Sequence, residues 1–164
     1  LHEFEAMRAL LIVALFLLPG SAAAGYAKQE TEFHLDVPAA KVCAWIEHRP
    51  ADLERAGGAS VAAERDDYVK LDRSDEHGQY VFWVRRSGQR GQYRETLVES
   101  LKGGLQHQQT EILVVANPSG GCDVTIRMTA TVADVANMKI AVGCRRAIKG
   151  MRALLERTFE AQTP

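Results

Sequence analysis

The sequence predicts an α+β fold: a curved seven-stranded antiparallel sheet, with two short helices after the first strand, wrapped around a long C-terminal helix. Three observations predict it. Period-two alternation appears in seven separate segments, short turns join the segments from residue 60 onward, and the chain ends in one long segment with helical apolar spacing. Short connections imply an antiparallel meander. A sheet with one apolar face beside one amphipathic helix buries both by curving around it.

Lys28 to Val37 puts Phe33, Leu35 and Val37 on one side and Glu32, His34 and Asp36 on the other, as in a half-buried strand. Pro38 ends it and suits a first helical turn. Ala39 to Glu47 then carries Val42, Trp45 and Ile46 on one helical face. Pro50 opens a second short helix through Arg55, closed by Gly57 and Gly58. Ser60–Glu64, Tyr68–Ser74, Gln79–Arg86, Gln92–Ser100 and Leu105–Ala116 read as strands separated by charged or glycine-bearing turns. The last strand is the plainest: Cys122, Val124, Ile126, Met128, Ala130 and Val132 alternate with polar residues. From about Asp134, a good N-cap, a helix runs to Glu160. Its apolar arc includes Ile140, Cys144, Ile148, Met151, Leu155 and Phe159, with lysines and arginines opposite.

Met7 to Ala24 has the order of an export signal: a basic start, ten apolar residues from Ala9 to Leu18, a Pro-Gly break and small residues. The apolar run is half the length of a membrane span, and no Cys follows the small residues to carry a lipid anchor. Residues 1–6 are read as an expression leader or a misassigned start, and 25–164 as a single secreted or periplasmic domain. Without residues 1–24, which carry Arg8, Glu3 and Glu5, the 20 basic and 21 acidic side chains become 19 of each. A near-neutral domain argues against nucleic acid as a partner.

The element order resembles the START-like, or Bet v 1-like, helix-grip superfamily, which also contains polyketide cyclases. The resemblance spans Lys28 to Phe159, and the segment Phe33-His34-Leu35-Asp36-Val37-Pro38-Ala39-Ala40-Lys41-Val42 is similar to the superfamily's opening strand and first helix. It implies a cavity between sheet and final helix that holds a sterol, lipid or aromatic compound. The same inward residues also serve as ordinary core.

On that reading the candidate ligand contacts are Trp83, Arg94, Ile126, Met128, Cys144, Ile148 and Met151. Phe82 and Trp83 face opposite sides of one strand, so one is inside and one outside. Along Gln92–Ser100, burying Glu95 and Glu99 costs more than burying Arg94 beside Thr96 and Ser100, so the Arg94 set is expected inward. Arg94 there suits an anionic head group; at the strand's end it is simply solvated.

Three cysteines allow at most one internal disulfide. Cys144 lies roughly 15 Å into its helix and Cys122 roughly 33 Å back along its strand. That separation exceeds the roughly 7 Å a bond tolerates, so Cys43 is the better partner for Cys144 if any bond forms. His34, His48, His77 and His107 are isolated and lack metal spacing; no metal or cofactor is expected. There is no G-x-S-x-G, H-E-x-x-H or C-x-x-C.

Three functions fit. One is an exported carrier or binding protein for a small hydrophobic molecule, with transient membrane contact. Another is a cyclase- or dehydratase-like enzyme using the same cavity, which requires converging polar groups inside. The third is an envelope interaction module with a filled core. Apolar Val135, Met138 and Val142, opposite the main helical arc, hint at a surface patch for it.

Overall fold

The computed structural model of the chain describes residues 23–76, 78–118 and 120–160. The expected export segment lies outside these, apart from Ala23 and Ala24, and so does His77. The elements run β1 (Gly25–Leu35), α1 (Ala39–His48), α2 (Pro50–Ala56), β2 (Ala59–Arg65), β3 (Tyr68–Asp75), β4 (Gly78–Gln89), β5 (Gln92–Lys102), β6 (Leu105–Ala116), β7 (Cys122–Val132) and α3 (Asn137–Glu160). The seven strands form one antiparallel sheet in the order β1-β7-β6-β5-β4-β3-β2.

Strands β2 to β7 are a meander because each connection is only a turn. β1 returns to the far edge beside β7, in unbroken register from Gly25↔Val132 to Leu35↔Cys122. That register stacks Ala27 beside Ala130, Phe33 beside Val124 and Leu35 beside Cys122 on the inner face, all buried. Val69 and Leu71 of β3 stand opposite Val84 and Phe82 of β4 on the same face. The outer face carries the charged residues, among them Arg127, which reaches Glu30 at 2.6 Å across the β1–β7 pair.

The final helix starts later than its sequence suggests. Asp134 has φ 59° and turns the chain instead of capping it. The first helical bonds run from Lys139 and Ile140 N–H to the Ala136 carbonyl. Asn137 uses its side chain to accept from Tyr26 N–H at 2.8 Å, fixing the helix start to β1. Downstream, Arg152 lies over the Phe33 ring at 5.1 Å and donates to Thr31 Oγ1 at 3.3 Å. Arg145 donates to Gln29 Oε1 at 3.4 Å. α3 is thus tied along β1, and Trp45 of α1 meets Phe159 edge-on at 6.2 Å. Gly150 lets α2 approach: a Cβ there would lie 1.9 Å from the Ala56 carbonyl oxygen.

The packing also places the cysteines and His34. Cys43, Cys122 and Cys144 are all free thiols. No bond joins Cys43 to Cys144. His34 is also not isolated. Its ring bridges Asp123 at 2.9 Å and Asp36 at 3.1 Å. The hydrogen bond to Asp123, then that to Asp36, raises its pKa above the ordinary imidazole value. A raised folded pKa means this contribution to stability is present below about pH 6.5 and is lost as pH rises through the folded pKa. Titration by NMR is expected to place His34 above a free imidazole, and Asp123→Asn to bring it back. An unshifted His34 would contradict the bridge.

Candidate ligand cavity

Because α3 is tied along β1 and β7, its opposite flank stands clear of β3 and β4. The gap is a cavity of about 600 Å³, within the range of small-molecule sites. Phe82, Leu105, Met128, Ala130, Val132 and Ile140 give it an apolar wall. Beside Ile140 and its basic residues the helix also contributes small ones: Gly143, Ala147, Gly150 and Ala153 recur at helical spacing along the cavity. A Cβ placed on Gly143 would meet no atom within 4 Å, so this glycine leaves space that a larger residue would fill. Lys139, Arg146, Lys149 and Arg157 are exposed around the opening, with Arg146 held 3.6 Å from Glu76.

Of the residues expected from sequence, Met128 and Cys144 line this cavity. Burial raises the Cys144 thiol pKa. Ile126, Ile148 and Met151 are buried but pack in the solid part of the core. Trp83 lies on the outer face: it neighbours Phe82, whose side chain is 1 % exposed and lines the cavity. Arg94 is also outside, donating from Nε to Glu111 Oε1 at 2.9 Å.

The inward set of β5 is therefore Tyr93, Glu95 and Leu97, the reverse of the expectation. Glu95 is 2 % exposed because partners compensate its burial. Arg86, opposite it on β4, donates from Nε at 3.0 Å, and Tyr93 Oη donates at 2.5 Å. Glu54 enters from α2, with one oxygen 3.8 Å from Arg86. Burial first, then the Glu95 charge, raises the Glu54 pKa well above the ordinary carboxylate value. Burial beside Glu95 therefore favours the neutral form of Glu54. This cluster sews α2 to β4 and β5; Glu54, Arg86 and Glu95 do not line the cavity.

Sequence reasoning missed the polar groups that do. Arg73 follows Val69 and Leu71 at the next inward position of β3, opposite Tyr80 of β4. Period-two counting along Tyr68–Ser74 would have found it. Gln108 was hidden by a bulge: β6 pairs Leu105 with Val132 and His107 with Thr131, so inward residues change parity between Leu105 and Gln108. Among the described residues no group of three or more His, Cys, Asp or Glu is placed to hold a metal ion.

No protein-family model and no curated protein sequence matches the chain. Solved structures do match in shape. A START superfamily protein from Mycobacterium smegmatis is 11 % identical with a TM-score of 0.60, over 86 % of this chain and all of that one. A protein from Geobacillus kaustophilus is 11 % identical with a TM-score of 0.65, over 82 % and 96 % of the two chains. The Zhui aromatase/cyclase of a Streptomyces species is 13 % identical with a TM-score of 0.52, over 80 % and 86 %. At such identities the likeness concerns architecture, and with the seven-stranded sheet, the two short helices and the long terminal helix it gives the chain the START-like, Bet v 1-like helix-grip fold.

Proposed function

We propose that the protein is an exported carrier or binding protein for a small hydrophobic molecule, held between the sheet and α3. The observation that supports this best is the cavity of about 600 Å³ with its apolar wall of Phe82, Met128, Ala130 and Val132. Gly143, Ala147 and Ala153 of the helix line it with small side chains, where large ones would fill the space. Met128 suits ligands of varied outline, because its unbranched side chain repacks easily.

Beside the opening, Met138 is 77 % and Val142 40 % exposed, next to Lys139. Apolar side chains flanked by a cation suit brief contact with a lipid surface while the ligand passes. The acidic cluster of Glu54 and Glu95 stands outside the cavity lining.

Purified protein extracted with organic solvent, or sprayed intact in native mass spectrometry, is expected to release one apolar molecule per chain. Failure to recover any such molecule, together with failure of a panel of apolar fluorescent probes to bind, would remove the proposal.

A further inference from the structure

We propose that the ligand is an anionic amphiphile whose acidic head group is held by Arg73 inside the cavity, with its apolar body along Phe82 and Met128. This rests on the cavity reading above and adds the class of ligand. Arg73 carries a buried Nε with no hydrogen-bond partner, and its guanidinium makes no ion pair among the described residues. Arg73 is half-buried at the cavity wall, and a charge-assisted hydrogen bond to an anion offsets the cost of a partly desolvated cation without a partner.

No carboxylate among the described residues pairs with Arg73. Arg86 is already taken by Glu95 at 3.0 Å. Glu54 lies near enough to feel Arg73 but makes no ion pair with it among the described residues, and its burial favours the neutral carboxyl. Arg73, Lys139, Arg146, Lys149 and Arg157 line the cavity with one carboxylate, Asp75, and Glu76 stands 3.6 Å from Arg146 at its opening. The domain is otherwise near neutral, so positive potential is concentrated where a ligand would enter.

Gln108 makes the same demand independently. It is 2 % exposed and lines the cavity; its Nε2 donates to Thr110 Oγ1 at 3.1 Å while its Oε1 has no partner. Either orientation of the amide leaves one buried polar atom of this cavity-lining residue without a partner. A pure hydrocarbon would satisfy neither Arg73 nor Gln108, whereas an acid with a second polar group satisfies both.

The test uses two naphthylamine dyes of like shape, anionic 8-anilinonaphthalene-1-sulfonate and neutral N-phenyl-1-naphthylamine. The anionic dye is expected to bind at least about tenfold tighter, as one charge-assisted hydrogen bond would give. Exposed lysines would lose their effect on raising NaCl from about 0.15 M to about 0.5 M, and the half-buried Arg73 would lose much less. Arg73→Leu is expected to weaken the anionic dye about tenfold and leave the neutral one within about twofold; Arg73→Lys should restore part of the preference. Oleate should displace the bound anionic dye and inorganic phosphate should not, which separates a lipid head group from a free anion. Equal binding of both dyes to the unsubstituted protein would overturn the proposal while leaving the cavity reading intact. So would a preference that salt abolishes and Arg73→Leu does not touch, or displacement by phosphate. Binding of neither dye would overturn both readings.

Discussion

Glu95→Ala is expected to lower the stability of the folded domain by about 3–5 kcal/mol at neutral pH. The loss comes less from the contacts that vanish than from what stays behind. Arg86 is only 13 % exposed, and without Glu95 it keeps a distant Glu54 that prefers its proton and an exposed Glu64 at 3.2 Å. Tyr93 also loses the acceptor of its phenol. Glu54→Gln should behave in the opposite way, since an amide imitates the protonated carboxyl. The Glu54 pKa is raised in the fold, so its contribution is present below about pH 4.5 and lost as pH rises through the folded value. Urea unfolding of the three proteins between pH 4 and 8 checks both. Glu54→Gln should match the parent in acid and exceed it toward neutrality. A Glu95→Ala protein as stable as the parent would mean that the cluster is solvated and not part of the core.

Gly143→Leu is expected to abolish ligand binding and at the same time stabilise the empty protein. Within a helix a glycine is about 1 kcal/mol worse than alanine or leucine, corresponding to roughly 3 °C in Tm for a domain of this size. Nothing within 4 Å opposes a side chain at this position, so the leucine would grow into the cavity and meet only the space a ligand would use. Gain of stability with loss of binding is the pairing that distinguishes a binding cavity from a packing defect. Circular dichroism melting of Gly143→Leu and the parent reads the first half of it. A lower Tm in the variant would show that the space is not free.

The fold was legible because its signals are local and strong. β6 and β7 were bounded to the residue, and the α3 arc of Ile140, Cys144, Ile148, Met151, Leu155 and Phe159 is buried as the spacing required. The cavity lining was harder to read, for two physical reasons. β5 pairs with β4 through two irregularities, between Val81/Phe82 and Trp83/Val84, so no single phase describes the strand and Val98 and Leu101 end exposed. Solvation cost alone also suggested that Glu95 would face out. What holds it inside is Arg86, a partner on the neighbouring strand that intrastrand alternation does not reveal. Trp83 failed for the simplest reason, since alternation says that one of two adjacent aromatics is inside without saying which. Ile126, Ile148 and Met151 face inward as expected but pack as core, because where α3 lies close to the sheet depends on its ties to β1 and its approach to α2.

The central claim, that this fold keeps an accessible apolar cavity between β4 and α3 for a ligand, is tested most directly by titrating the parent and Gly143→Leu proteins with N-phenyl-1-naphthylamine and following its fluorescence. Saturable binding of one dye per parent chain, lost in a Gly143→Leu protein that melts no lower, is the expected result. Binding that never saturates, or that is the same in both proteins, would contradict it.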